Sequence, residues 1–251
     1  MLFVRSLLFN IIGYSILGIG SIITSIVGVF SPKVTVKMWS NGLLPTLLFA
    51  LKYIAGLSVE VRGKQYIQNG VALYASKHES ALETYLLPTV IRGLAFVLKK
   101  ELTYIPIFGW AQAFYGMIAI DRASGGAAMK GMLRSAKKRI EENRSVGIFP
   151  EGTRVKPGTK SEYKSGLMFL SQNLKVPVVP VALNTGMFWA KNSFMRYPGK
   201  VIVEFLEPMS DDLNKKEFMS VLEDRIETKC KELNEETLKN YPWTKANFVG
   251  K

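Results

Sequence analysis

Residues 71–84 read VALYASKHESALET, an apolar run followed by a polar turn and the beginning of a helical pattern. The run Val71–Ala75 is short, apolar and bounded by turn residues, which is typical of a strand. Further runs of this kind lie at Leu94–Leu98, Met117–Ile120, Val146–Phe149, Val176–Leu183 and Val201–Leu206. Helical patterns separate several of them, notably at Ala127–Glu142 and Gly166–Asn173. This alternation predicts an α/β fold with a largely parallel central sheet flanked by helices.

The composition excludes several classes of protein. Hydrophobic residues make up 48% of the 251 residues, so the chain can bury a sizeable core and is not a disordered, collagen-like or disulfide-scaffold protein. A single cysteine cannot form an internal disulfide bond, and a single histidine excludes zinc clusters and two-histidine metal motifs. We therefore expect neither a zinc cluster nor a two-histidine metal site.

The formal net charge of the chain is +13. The excess lies in residues 1–210, because residues 211–251 are nearly balanced, with 8 basic and 9 acidic side chains. Such an excess predicts an anionic partner, which can be a nucleic acid, a phosphate-bearing ligand, an acidic carrier protein or the cytoplasmic leaflet of a membrane.

The N-terminal segment favours a membrane among these partners. No charged residue occurs between Arg5 and Lys33, and a helix of that length can cross a hydrocarbon core of ~30 Å. The stretch exceeds the ~7–15 apolar residues of a signal peptide. A second apolar stretch, Gly42–Leu57, is interrupted by a proline and a lysine, which is typical of an interfacial helix. We expect residues 1–57 to form a membrane anchor of one spanning or embedded helix plus a second apolar helix.

The lysines near this anchor indicate its orientation. Lys33, Lys37 and Lys52 follow the long apolar stretch, and the positive-inside rule then places the rest of the chain on the cytoplasmic side. We expect the membrane to be a bacterial inner membrane, whether the anchor spans it or lies in one leaflet. The rest of the chain divides into an α/β domain at residues 58–210 and a C-terminal amphipathic helix at residues 211–251 that packs on that domain.

His78 is the candidate general base. It is the single histidine of the chain, and imidazole has an unperturbed pKa that suits proton transfer near neutral pH. It follows a predicted strand, and parallel α/β sheets place their ligand-handling residues in loops beyond the strand ends. The ordinary alternative is a structural histidine with satisfied hydrogen bonds.

Two glutamates compete as the partner that orients His78. Glu83 can reach the imidazole if His78 lies in the loop before the helix, since five residues along one helix would place them about 140° apart. Ser80 and Glu83 also form the S-x-x-E pattern of a capping box, in which the glutamate caps the helix instead. Glu79 is a rival orienter. The spacing leaves these alternatives open.

Basic residues follow other predicted strands. Arg122 and Arg154 each lie beyond a strand, and a guanidinium group matches the geometry of a phosphate and keeps its charge. Arg154 ends the sequence FPEGTR at residues 149–154, in which Gly152 lets the backbone approach a ligand and Glu151 can accept hydrogen bonds from hydroxyl groups. The same positive region includes Lys99 and Lys164.

No evident covalent nucleophile accompanies these residues. Cys230 falls in the C-terminal helix, remote in sequence from every predicted strand end. The candidate residues are a base, an acid that orients it and a set of phosphate-binding groups. This set favours a mechanism in which an activated substrate hydroxyl attacks directly, without a covalent enzyme intermediate.

These residues, in this order, resemble the 1-acylglycerol-3-phosphate O-acyltransferase family of glycerolipid acyltransferases. The similarity covers roughly residues 71–206. It rests on several blocks in register: His78 and Glu83 as His-x4-acid, Lys99 with Glu101 and Leu102, Gly116 with Asp121 and Arg122, FPEGTR at residues 149–154, Tyr-Lys-Ser-Gly around Lys164, and Val176–Val181.

The resemblance implies transfer of a fatty acyl group from an acyl thioester, acyl-CoA or acyl carrier protein, to the sn-2 hydroxyl of lysophosphatidic acid, giving phosphatidic acid. It implies that His78 is the general base and that an acidic partner orients it. The glycerol phosphate would be held by Arg122, Glu151, Gly152, Thr153 and Arg154, with Lys99 as a second phosphate contact. The family usually has aspartate at the acidic position where this chain has Glu83.

Two alternatives remain open. The acceptor can be another glycerolipid or a lyso-aminolipid, or the protein can be a non-catalytic membrane protein that binds anionic lipid. We do not expect nucleic acid as a partner, because the basic residues cluster at strand ends behind a membrane anchor and not along an aromatic platform.

Overall fold

The computed structural model describes residues 1–210 and 212–249. The strands are β1 Leu57–Arg62, β2 Leu73–Ser76, β3 Ala95–Lys99, β4 Ile118–Ile120, β5 Val146–Ile148, β6 Val178–Leu183 and β7 Gly199–Phe205. They form one sheet with the spatial order β1-β7-β6-β2-β5-β3-β4. Neighbouring strands are parallel except β6 and β7, which are antiparallel. The predicted α/β fold with a largely parallel sheet is confirmed.

Helices cover both faces of this sheet. The α-helices are α1 Leu2–Phe30, α2 Pro32–Met38, α3 Leu44–Ala50, α4 Leu82–Val90, α5 Phe108–Tyr115, α6 Gly125–Glu141, α7 Gly166–Leu174, α8 Thr185–Phe188 and α9 Lys215–Asn240. α9 contacts β6, as expected for a C-terminal cover. The expected C-terminal segment, 211–251, begins and ends at residues outside those that the structure describes.

β1 was absent from the strands predicted from sequence. π-helical turns at Trp39–Leu43 and Leu51–Ala55 extend α2 and α3 into a nearly continuous helical run. The run ends at Gly56, whose φ of +75° is a conformation that favours glycine. β1 starts directly afterwards and pairs with β7 at the edge of the sheet. The strand was missed because its first residue also ends an apolar stretch that indicated a helix.

Side chains of β2 alternate between two hydrophobic cores, as the two-residue period of a strand requires. Tyr74 packs in the core that includes residues of α1, α3 and α4. Leu73 and Ala75 pack in the core that includes residues of α6, α7 and α9. The N–H of Lys77 donates to the carbonyl oxygen of Val181 at 3.0 Å, so the pairing with β6 continues past the end of β2.

α1 packs through a stripe that runs along the whole helix, mainly against α5 and the helical segment at residues 32–55. The buried residues of this stripe are Ser6, Phe9, Asn10, Gly13, Leu17, Ser21, Thr24, Ser25 and Gly28. Phe9 and Leu17 belong to the same core as Val201 of the sheet. The other sides of α1 expose large apolar residues, including Phe3, Leu8, Ile11, Ile12, Ile19, Ile22, Ile23, Ile26 and Phe30. The N-terminal segment therefore shares a hydrophobic core with the sheet.

Candidate active site

A cavity of about 740 Å³ lies at the carboxyl ends of the parallel strands. Its lining includes His78 beyond β2, Lys99 at the end of β3, Arg122 beyond β4 and residues 149–154 beyond β5. These four strands are neighbours in the sheet. Their common edge therefore brings together residues that lie far apart in the sequence, such as His78 and Arg154, which are 76 positions apart. The sequence patterns predict this arrangement.

The imidazole of His78 is held by a carboxylate from the first turn of α4. Its Nδ1 lies 2.8 Å from Oε1 of Glu83. That oxygen also accepts hydrogen bonds from the backbone N–H groups of Glu79 at 2.8 Å and Ser80 at 2.7 Å, and Oε2 accepts one from the hydroxyl of Thr185 at 2.7 Å. Because Oε1 of Glu83 accepts the other hydrogen bonds made to it, we assign Nδ1 as the donor, which leaves the lone pair of a neutral imidazole on Nε2.

Glu83 contacts His78 and makes one of the two hydrogen bonds of the expected capping box. It accepts the N–H of Ser80 as in a capping box, while the hydroxyl of Ser80 accepts the N–H of Leu82. The same Glu83 oxygen contacts His78, which lies in the loop before the helix. The N-cap residue of α4 is Ala81, which makes no side-chain cap hydrogen bond, and not Ser80 as expected. Glu83 thus combines half of a capping box with orientation of the imidazole.

The ring of His78 is also held from its face. It stacks on Phe149 with ring centroids 3.9 Å apart and an angle of 14° between the planes. Phe149 stacks in turn on Phe96 at 4.8 Å. The side chain of His78 remains 16% exposed. The stack and the bond to Glu83 together fix the ring while leaving it accessible, which is the arrangement that a general base requires.

Glu79 points to a different part of the structure. Its Oε2 accepts the backbone N–H of Gly186 at 3.0 Å, and the residue is 1% exposed. Among the hydrogen bonds of residues 1–210 and 212–249, none joins Glu79 to the imidazole of His78. Burial raises the pKa of the Glu79 carboxyl to about 8. The geometry therefore favours Glu83 over Glu79 as the partner of His78.

The predicted phosphate-binding residues meet at the same edge of the sheet. Gly152 has a φ of +69°, and a Cβ atom built on it would lie 3.5 Å from Nη2 of Arg122. The loop at residues 149–154 thus passes close beside the guanidinium group of Arg122. The cavity lining also contains four further predicted residues: Lys99, Thr153, Arg154 and Lys164.

Glu151 was expected to accept hydrogen bonds from substrate hydroxyl groups, but its side chain is deeply buried. It is 2% exposed, although it contributes to the cavity wall. Its Oε1 accepts the backbone N–H of His78 at 3.2 Å and lies 3.4 Å from Nζ of Lys77. Its contacts are therefore with the loop that carries the base.

Sequence reasoning missed two residues that contact this machinery. Thr185 is 102 positions away from Glu83, and no local pattern predicts such a contact. Lys77 did have a signal, because strand alternation places neighbours on opposite faces. With His78 on the cavity side, Lys77 faces α9, where it pairs with Glu227.

An oriented imidazole beside a cluster of cations, at the carboxyl edge of a parallel sheet, is typical of the active site of an α/β enzyme. The chain belongs to the acyltransferase family. The model of that family, described as Acyltransferase, matches residues 58–184, just over half of the chain.

The names of individual relatives are more specific than the description of the family model. A 1-acyl-sn-glycerol-3-phosphate acyltransferase of Pseudomonas aeruginosa is 37% identical over 156 residues, covering 62% of this chain and 61% of that protein. One of Saccharomyces cerevisiae is 29% identical over 191 residues, covering 73% and 63%. The chain thus spans roughly three fifths of the length of these curated relatives.

A solved structure resembles the whole chain. It is the 1-acyl-sn-glycerophosphate (LPA) acyltransferase, PlsC, from Thermotoga maritima, with a TM-score of 0.73 and 23% identity. The match covers 93% of this chain and 98% of that chain. At this level of identity, the similarity shows a shared fold.

Proposed function

We propose that the protein transfers a fatty acyl group from an acyl thioester to the sn-2 hydroxyl of 1-acylglycerol-3-phosphate, giving phosphatidic acid. The observation that carries the proposal is the bond between His78 and Glu83, which leaves a lone pair on Nε2 in a cavity that Arg122 and Arg154 also line. The names of the relatives support the same activity.

The proposed reaction is general-base catalysis. Nε2 of His78 removes the proton of the sn-2 hydroxyl as its oxygen attacks the thioester carbonyl carbon. The tetrahedral intermediate then expels the thiolate, which receives the proton from the imidazolium. Glu83 stabilises the imidazolium and maintains its orientation. A thioester is already activated, so this reaction requires neither a metal nor a cofactor.

The cavity suits both ends of a lysophosphatidate. Its cationic residues, Lys99, Arg122, Arg154 and Lys164, match the phosphate of the acceptor and the phosphates of acyl-CoA or acyl carrier protein. Its apolar lining matches an acyl chain and includes Phe96, Leu98, Phe108, Met117, Ile120, Met129 and Leu167.

We also propose that α1 lies in one leaflet of a membrane, with the catalytic domain on the cytoplasmic side of a bacterial inner membrane. α1 is the helix of the described residues that is long and apolar enough to cross a membrane, which is consistent with membrane association. One stripe of the helix is covered along its length by α5 and by the helical segment at residues 32–55. Its exposed apolar sides are therefore available to lipid beside the domain.

Replacing Arg154 with glutamine should lower kcat/KM for 1-acylglycerol-3-phosphate roughly 10–100-fold, because a hydrogen bond to a charged group contributes about 1.5–3 kcal/mol. The slow transfer to 1-acylglycerol, which lacks the phosphate, should not change. Arg134→Gln is the matched control, since Arg134 is exposed on α6 and lies outside the cavity lining. An equal loss with both acceptors would show that Arg154 does not bind the phosphate.

A further inference from the structure

A buried ion cluster adjoins the loop that carries His78. Lys77 is 1% exposed, and its Nζ lies 2.6 Å from Oε1 of Glu227 on α9 and 3.4 Å from Oε1 of Glu151. The hydroxyl of Tyr163 donates to the same oxygen of Glu227 at 3.0 Å. Lysine is almost never fully buried unless it is paired. Glu227 is therefore the close ionic partner that allows Lys77 to occupy this position.

Glu151 connects this cluster to the backbone of His78. Its Oε1, the oxygen that faces Lys77, accepts the N–H of His78 at 3.2 Å. The N–H of Val155 donates to the carbonyl oxygen of His78 at 2.8 Å. The segment 151–155 thus holds both backbone polar groups of the candidate base. A shift of Lys77 would move the carboxylate that this arrangement depends on.

Lys77 has other polar neighbours besides Glu227, including the carbonyl oxygen of Thr159 at 3.5 Å from its Nζ. The titratable groups facing Lys77 are Glu79 and Glu151 from the loops, Tyr163, and Glu227 and Cys230 from α9. Within residues 1–210 and 212–249, Oε1 of Glu79 and Oε2 of Glu151 are buried without a hydrogen-bond partner. Burial raises the pKa of Glu151 to about 7, and Lys77 opposes this shift. Loss of the charge at Glu227 would free Lys77 to move toward the other oxygens, and such a move changes its contact with Glu151.

We propose that Glu227 is a positioning residue for catalysis, acting through Lys77 and Glu151 to fix the backbone of His78. Helix α9 is then part of the machinery that places the base and not only a cover of the sheet. The inference assigns Glu227 no contact with substrate. Only the kinetic part of its test depends on the proposed function.

The test uses the full chain in detergent micelles with ¹⁵N-labelled histidine, so that His78, the single histidine, gives the imidazole signals. Glu227→Gln keeps the shape of the side chain and removes the charge that pairs with Lys77. We expect kcat for phosphatidic acid formation to fall about 10²-fold with KM nearly unchanged, since a displacement of ~1 Å caused by a distant mutation can have that effect. The ¹⁵N shifts of Nδ1 and Nε2 should change as the bond to Glu83 is altered.

Glu236→Gln is the matched control. Glu236 lies on the same helix and pairs with Arg62 at 2.7 Å, with its side chain 38% exposed. This variant should keep the wild-type kcat and imidazole spectrum. An equal loss of kcat in both variants would show that docking of α9 matters and that the contact with Lys77 does not, which would overturn the inference. Wild-type kcat and imidazole signals in Glu227→Gln would overturn it as well.

Tyr163→Phe provides a second variant should Glu227→Gln fail to fold. It removes one hydrogen bond to Glu227 and no charge, so a smaller change of the imidazole signals in the same direction is expected, and a wild-type spectrum would overturn the inference. The imidazole spectrum does not depend on acyl transfer. A protein that fails to acylate 1-acylglycerol-3-phosphate would therefore refute the proposed function and leave this test valid.

Discussion

Replacing His78 with alanine should lower kcat for acyl transfer about 10³-fold, within the 10²–10⁴-fold range of general-base catalysis. The variant removes the Nε2 atom of His78. The bond between Nδ1 and Glu83 leaves the lone pair of Nε2 free to accept a proton in the cavity. Initial rates of phosphatidic acid formation from labelled acyl-CoA and 1-acylglycerol-3-phosphate measure the effect directly.

Binding of the acceptor separates the catalytic role of His78 from a structural one. His78→Ala should still bind 1-acylglycerol-3-phosphate, because Arg122 and Arg154 are unchanged, and its thermal unfolding should remain cooperative. A variant that retains nearly wild-type turnover would show that His78 is not the base. That outcome would favour the alternative of a non-catalytic protein that binds anionic lipid.

Replacing Glu83 with glutamine should lower kcat about 10²–10⁴-fold, since loss of the orienting carboxylate of a catalytic histidine can have an effect of that size. Oε1 of Glu83 receives Nδ1–H of His78 and two backbone N–H groups, and Oε2 receives the hydroxyl of Thr185. A glutamine has one oxygen for these donors and no charge to stabilise the imidazolium. Steady-state kinetics at saturating acceptor measure the change.

Glu79→Gln is the matched control, because Glu79 is equally buried and does not contact the imidazole. Its kcat should stay within a few-fold of wild type. If Glu79→Gln abolished turnover and Glu83→Gln did not, the orienting carboxylate would be Glu79.

The stability of the Glu79→Gln variant should also depend on pH differently from that of the wild type. Burial raises the pKa of Glu79 from its ordinary 4.5 to about 8 in the folded protein. The folded state then binds the proton more tightly than the unfolded state, so this group makes the protein less stable as the pH rises from about 4.5 to about 8. Glutamine cannot ionise. Thermal unfolding of Glu79→Gln should therefore depend less on pH over this interval, with the largest gain in stability at its upper end.

Much of the fold was predictable because its signals are local. Apolar runs separated by helical patterns indicated a parallel sheet, and six of the seven described strands overlap the predicted runs. β1 was missed because it is an edge strand whose start coincides with the end of an apolar helical stretch. The apolar runs and the helical patterns between them therefore predicted every described strand except the edge strand β1.

The candidate site was predictable where its residues are close in sequence or follow neighbouring strands. His78 and Glu83 are five residues apart, and Arg122 and the FPEGTR loop follow β4 and β5, which lie on either side of β3 in the same sheet. The contacts of Thr185 with Glu83 and of Glu227 with Lys77 join residues 102 and 150 positions apart. Such contacts depend on how α8 and α9 pack, which no local pattern specifies.

A comparison of acceptors by the purified wild-type protein tests the proposed acyl transfer most directly. With labelled acyl-CoA or acyl carrier protein as donor, we expect phosphatidic acid labelled at the sn-2 position from 1-acylglycerol-3-phosphate, with one thiol released for each acyl group transferred. Glycerol-3-phosphate and the phosphate-free 1-acylglycerol should give little product. Equal efficiency with 1-acylglycerol, or thiol release without acylated lipid, would contradict the assignment.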